Sequence, residues 1–171
     1  MKKILSMLLV VVLVLSALVI TGCTEKAEDV KLGLGVVATA TALGAEGEDA
    51  GNAELEAVVA AVLVDKEGKI VACTIDETYE NMASVSATGV ITTPESFKTK
   101  NELGTAYGMS EAGKTEWNVQ AEAFSKACVG KDAEGIGALV VNGYQPSEEV
   151  KAAGCTIAVT NMVKAAVKAA R

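Results

Sequence analysis

The chain has 171 residues, of which 22 are acidic, 15 are basic and none is histidine, giving a net charge of −7. That length suits one domain plus an export segment, and 50% hydrophobic content is too high for a disordered chain. The absence of histidine excludes a Ser-His-Asp triad, a His-ligated zinc or haem and an imidazole proton shuttle. The acidic balance argues against nucleic acid as a partner, because neutralising phosphate needs a basic surface. Only 4% of residues are aromatic, so the core must be built from Ala, Val, Ile and Leu.

The first segment reads as an address. Lys2 and Lys3 form a positive start, and Ile4 to Ile20 form an apolar run with two serines. This is the shape of a secretory signal. The run ends in Val19-Ile20-Thr21-Gly22-Cys23, which resembles the lipobox of bacterial lipoproteins. The resemblance implies cleavage before Cys23 and a thioether-linked diacylglycerol on its sulfur. The alternative is an uncleaved membrane anchor, since the run approaches spanning length. Either reading puts the remainder on the extracytoplasmic face of the cell membrane. The expected division is 1–22 signal peptide, 23–31 lipidated Cys and tether, and 32–171 a single domain. Loss of Lys2 and Lys3 moves the charge to −9, so lipid rather than protein surface would hold this acidic body to anionic headgroups.

Along the mature chain, Val30 to Leu43 predicts a strand that Gly33 and Gly35 weaken. Gly44 to Asn52 reads as an acidic, Gly-rich loop. Leu55 to Val64 and Lys69 to Asp76 read as a β-hairpin, with Gly68 supplying the positive φ that closes the turn. Val85 to Thr92 predicts one further strand. Over Lys114 to Val129, the spacing of Trp117, Ala121, Phe124 and Cys128 predicts a helix. Asp132 is a candidate N-cap for a short helix to Leu139. Asn142 to Ser147 reads as a loop. Thr160 is the expected N-cap of a final helix over Asn161 to Ala170, with Met162, Val163, Ala166 and Val167 on one side. Strands followed by helices predict an α+β fold, with helices packed on one face of an antiparallel sheet.

Besides Cys23 there are three cysteines, Cys73, Cys128 and Cys155, with no C-x-x-C spacing. A zinc knuckle, cluster or thioredoxin-like centre is therefore not expected. One disulfide is allowed by the compartment, and buried free thiols are the favoured reading. Three constellations carry candidate chemistry. Asp65 and Asp76 flank the hairpin as an oxygen-ligand cation site, set against an ordinary charged turn. Tyr107, Met109 and Trp117 offer an apolar wall for a planar ligand, with Lys100 or Lys114 for an anionic group, set against a loop packed down by its few large side chains. Gly154 and Thr156 precede the last helix, where backbone N–H groups bind phosphate, set against a plain turn.

Three stretches carry a further resemblance: VAAVLVDKEGKIVACTID from Val59 to Asp76, T-K-x-E-L-G-x-x-Y-G-M from Thr99 to Met109, and G-K-x-E-W-x-x-Q-A from Gly113 to Ala121. Together they resemble lipoproteins of Clostridia-type anaerobes that are distantly similar to the extracytoplasmic FMN-binding domain. In flavinylated members of that domain a Thr after S-G-A takes FMN through a phosphoester. Ala153-Gly154-Cys155-Thr156 matches at Gly154 and Thr156. It departs at Ala153, at Cys155 and at Val150, which stands where that motif has an Asp. The resemblance implies FMN as cofactor, with Thr156 and Gly154 at the phosphate and Tyr107, Met109 and Trp117 at the ring. Covalent flavin, non-covalent FMN, another small ligand and no ligand all stay open.

The expectation is a membrane-anchored binding or electron-carrier protein with a small-molecule ligand or redox partner, without a catalytic set. The alternative is a solute-binding or cell-envelope interaction lipoprotein without flavin.

Overall fold

The computed structural model of the chain describes residues 29–44, 50–79, 81–93 and 97–171. The expected signal peptide, the lipidated Cys23 and most of the tether lie outside the described residues. Among the described residues no helix is long and apolar enough to cross a membrane.

The fold is α+β, as the sequence predicts. Strands β1 (Lys31–Leu43), β2 (Gly51–Val64), β3 (Ile70–Glu77), β4 (Asn81–Val85) and β5 (Ile91–Thr92) make one antiparallel sheet. One edge of β2 pairs with β1 along its whole length, from Lys31↔Val64 to Leu43↔Asn52. Its other edge is shared: Val58–Val64 takes β3 and Gly51–Glu54 takes β4. The β2–β3 hairpin turns at Gly68, φ +79°, and the Asp65 carboxylate accepts the Glu67 and Lys69 N–H groups.

The helical half follows. Helix α1 (Lys100–Leu103) leads into two 3₁₀ turns, Gly104–Tyr107 and Ser110–Ala112. Helix α2 covers Trp117–Cys128, α3 Ala133–Gly137, α4 Glu148–Ala152 and α5 Thr160–Ala169. The predicted face of α2 is the buried one, with Trp117, Ala121, Phe124 and Cys128 at most 4% exposed. Asp132 caps α3 through Gly135 N–H. Helix α2 runs antiparallel to β3. Its start is tied to the far end of β3 through Lys100 and Glu77, while Gly130 N–H donates to Ile70 C=O just beyond its end.

Helix α5 lies on β1 and β2. Its tight approach explains two residues that looked wrong for a strand. A Cβ on Gly33 would sit 1.8 Å from the Ala169 carbonyl oxygen, and one on Gly35 1.9 Å from that of Ala165. Glycine in a strand marks such a backbone approach. Val62 and Ala60, the β2 partners of these glycines, are buried beneath α5 and α2. Among the described residues no helix covers the opposite face of the sheet, and Leu32, Leu34 and Val36 stand exposed on it.

Four local expectations are corrected. Gly51 and Asn52 belong to β2 rather than to a loop, because Leu43 of β1 pairs with Asn52 and Val85 of β4 pairs with Gly51. Val85 to Thr92 is a hairpin and not one strand: Ser86 and Gly89 (φ +82°) close a turn between β4 and β5. Asn142 to Ser147 is not all loop: Asn142 to Tyr144 turn a further hairpin, in which β6 (Val140–Val141) pairs with β7 (Gln145–Pro146). Asn142 and Gly143 both take positive φ there, as the Asn-Gly pair favours. Thr160 is the first residue of α5 and not its cap; its hydroxyl donates to Gly143 C=O at 2.6 Å.

Gly35→Ala should destabilise by at least about 1–3 kcal/mol, the usual range for overpacking, because the obstacle is backbone and cannot turn aside. Gly137→Ala has open space at its Cβ and should be neutral or stabilising by up to about 1 kcal/mol. Urea titration of both variants measures the contrast, and equal effects would remove the close-approach explanation.

Candidate functional site

The residues singled out in the sequence converge on the start of α2. Thr99, Lys100, Asn101 and Glu102 form a capping box: Glu102 N–H donates to the Thr99 hydroxyl, and Thr99 N–H donates to the Glu102 carboxylate at 2.8 Å. Such reciprocal bonds satisfy two orphan donors of the helix. Asn101 fastens this turn to β3 by donating its side-chain N–H to Ile75 C=O at 2.8 Å.

The cap delivers Lys100 into the interior. Lys100 is 4% exposed and ion-paired with Glu77, itself 7% exposed. The ammonium lies 5.2 Å from the centre of the Tyr107 ring and 5.7 Å from that of Trp117. Tyr79 meets Tyr107 edge-on at 5.7 Å. Aromatic faces attract a cation through their quadrupole. Burial works against the Lys100 charge, but Glu77 and Tyr107 outweigh it, so its pKa is raised.

The other motif residues brace this cluster. Glu116 accepts the Met109 and Ser110 N–H groups at 3.1 and 2.9 Å, and the hydrogen bonding from Ser110 holds its carboxyl below the usual range. Gln120 donates to Thr115 C=O at 2.7 Å. Its carbonyl accepts both the N–H and the hydroxyl of Thr156, at 2.8 and 3.1 Å.

Trp117 is buried, while Tyr107 and Met109 are half-buried against the core. The ring faces of Tyr107 and Trp117 look onto the protein's own ammonium. Lys100 faces Glu77, and Lys114 is exposed. Thr156 and Gly154 lie in the turn after α4, exposed, with Gly154 at φ +105°. Helix α5 begins four residues beyond Thr156, and Thr156 N–H is committed to Gln120, so the α5 start and Thr156 do not form one phosphate nest. Asp65 and Asp76 do not meet either. Asp65 sits at the turn, whereas Asp76 pairs with Val59 well along the strand and accepts from Glu77 and Asn101 N–H. Among the described residues no group of three metal-ligating side chains forms.

A cleft of about 290 Å³ opens between β3 and α2. Cys73, Thr74 and Ile75 form one wall; Asn118, Glu122 and Ser125 form the other. Asn118 Oδ1 is buried and is the one side-chain polar atom of that kind without a hydrogen-bond partner among the described residues. Buried acceptors are ordinarily satisfied. The sequence reading missed this site, though a signal existed: 118, 122 and 125 are spaced as a polar stripe beside the apolar face of α2.

The three described cysteines are free thiols. Cys155 is buried, and burial pushes its pKa up to about 11. Cys73 is half-buried on the cleft wall rather than buried as expected. Its pKa is lowered, chiefly by the Cys128 thiol and, against the effect of burial, by the Ser125 hydroxyl. Cys128, fully buried, is raised, chiefly by Cys73 and then by desolvation.

No family model matches this chain, and no curated protein or solved structure does.

Lys100→Met should destabilise by about 3–5 kcal/mol, the range for removing one partner of a buried ion pair. The raised pKa also fixes a pH window. Because the folded value lies above the ordinary 10.5, this contribution is intact at neutral pH and is lost as pH rises through the folded value. Urea melts from pH 7 to 12 should show an alkaline fall in the native protein that is smaller in Lys100→Met.

Proposed function

We propose that the protein is a lipid-anchored binding module on the extracytoplasmic face of the membrane, and that its ligand site is the cleft between β3 and α2. The observation that carries the ligand reading is the unsatisfied Asn118 Oδ1 in a solvent-accessible cleft. The sequence of Lys2 to Cys23 carries the anchoring. At about 290 Å³ the cleft is at the small end of ligand sites. An N–H or O–H donor would complete Asn118, and the Glu122 carboxylate on the same wall, paired with the exposed Lys126 at 2.7 Å, can share a further donor hydrogen. The occupant is therefore a small polar solute with donor hydrogens, amines before acids.

A second reading keeps the flavin. Thr156 is exposed in a glycine-containing turn, and its hydroxyl would give up the bond to the Gln120 carbonyl to form a phosphoester. In this reading FMN, bound at Thr156 and Gly154, carries electrons to a redox partner, and the protein tunes its potential. The mass of the full chain in detergent, native and then denatured, separates the readings. FMN retained in both spectra is covalent, FMN lost on denaturation is bound non-covalently, and a colourless protein without added mass leaves the cleft reading.

Asn118→Leu tests the cleft directly. A buried unpaired acceptor costs about 1–3 kcal/mol, so the unliganded variant should be as stable as the native protein or more so. A panel of small primary amines should raise the native melting temperature and leave that of Asn118→Leu unmoved. At 100 times Kd the stabilisation is about 2.7 kcal/mol, or about 5–11 °C for a domain of this size. Equal shifts in both proteins would place the ligand elsewhere. For the anchor, Cys23→Ala should abolish labelling by fatty acid; unchanged labelling and membrane retention would end that part of the proposal.

A further inference from the structure

The sheet face that no described helix covers is apolar along its longest strand pair. On β1 it presents Leu32, Leu34, Val36, Ala38, Ala40 and Ala42, because alternate residues of a strand share a face. The β2 residues level with them, the odd positions from 53 to 63, are likewise all Leu, Val or Ala. The polar residues of this ribbon take the other positions: Thr39 pairs with Glu56 and Thr41 with Glu54, on the face that carries α5. Leu32 is 76% exposed, Leu34 67% and Val36 44%. The patch continues onto β3 at Ala72, level with Leu63, and onto β4 at Ala83, level with Ala53. Thr74 and Asp76 form a polar rim on β3, where the Asp76 carboxylate accepts the Glu77 and Asn101 N–H groups.

We propose that this face is the interface of a homodimer, in which two copies pack their sheets face to face about a two-fold axis that crosses the strands at right angles. The inference does not depend on the ligand reading, because the cleft opens on the helix-bearing side. Strand spacing and rise give the patch an area of roughly 600 Å², at the top of what a single copy leaves bare. Two copies would bury roughly 1,200 Å², where specific interfaces begin. Anchoring both to one membrane raises their effective concentration, so an interface of this size is enough.

The order of side-chain sizes selects the axis. With its centre level with Val37 and Val58, which pair with each other, the axis lays β1 on the partner's β1 in the opposite direction. Leu32 then meets the partner's Ala42, Leu34 its Ala40 and Val36 its Ala38. On β2, Leu63 meets the partner's Ala53, Leu55 its Ala61 and Val59 its Ala57. Every large side chain lies over a small one, as interdigitated sheets about 10 Å apart require. An axis along the strands would set Leu32 on Leu63 and Ala42 on Ala53, large on large and small on small. A lipid surface fits less well. Surfaces that lie on anionic headgroups carry Lys and Arg beside the apolar patch, whereas none of these β1 and β2 face residues is basic and the chain is net acidic.

The full chain carries a short C-terminal tag labelled with donor or acceptor dye, and the two forms are mixed in phosphatidylcholine vesicles at stepped lipid-to-protein ratios. Energy transfer should exceed the random-collision level and fall as lipid dilutes the protein. Leu34→Lys, at an exposed position of the single copy, should keep the native circular dichroism and weaken association at least about a hundredfold, because the symmetry buries two unpaired charges. Ala40→Leu sets leucine against leucine and should weaken it about tenfold. Leu34→Ala/Ala40→Leu exchanges the two sizes and should restore association to within about threefold of native; this pair of variants leaves the fold intact even if Leu34→Lys does not. Transfer at the random-collision level in the native chain, whether lipid or nothing covers the face, would overturn the proposal. Association that Leu34→Lys leaves unchanged would overturn it too, as would a size exchange that binds no better than Ala40→Leu alone.

Discussion

The constraint on which this fold depends is a shortage of side-chain volume. With few aromatic residues, and alanine and valine as the common fillers, the interior cannot hold helix and sheet at an ordinary separation without leaving voids. The chain solves this by bringing backbones together. Helix α5 sits on Gly33 and Gly35, and Ala165, Ala166 and Ala169 are its contact surface. Phe124 and Trp117, the largest buried side chains of α2, fill what remains between that helix and the sheet. A glycine pair that weakens a strand in isolation is therefore what allows the sheet to be covered.

The start of α2 shows the same economy applied to polar groups. Lys100 is driven inside by a capping box and is accommodated by a carboxylate and two aromatic faces. Glu116 and Gln120 then tie the flanking 3₁₀ turns and the Thr156 turn to the same helix. Residues that suggest an external ligand when read along the sequence are largely engaged with one another. The cleft next to them differs, because one of its walls carries an acceptor without a donor. Unsatisfied or activated groups on an accessible wall are what distinguish a site from packing.

The sequence was legible where one local rule governed. Alternation pointed to β1, apolar β-branched runs pointed to β2 and β3 with Gly68 at the turn between them, and the spacing of Trp117, Ala121, Phe124 and Cys128 pointed to the buried face of α2. The α+β class followed from that order. Misreadings arose where a short local signal competed with a longer one. Ser86 and Gly89 interrupt a β-rich run that reads as continuous, and Asn142-Gly143 closes a hairpin hidden in what looks like loop. Thr160 has the chemistry of a cap, but its hydroxyl is used by a carbonyl from another turn.

By itself the sequence determined the acidic body, the absence of imidazole chemistry, the lipobox-like start and the strand-then-helix order, since composition and short-range periodicity belong to the chain before it folds. Tertiary structure alone decided that Lys100 would meet Glu77 and that Thr156 would answer to Gln120. Each of these pairs joins residues at least 23 positions apart. Their contact follows from the crossing of a helix over a sheet and from the burial that fixes it, which no local spacing encodes.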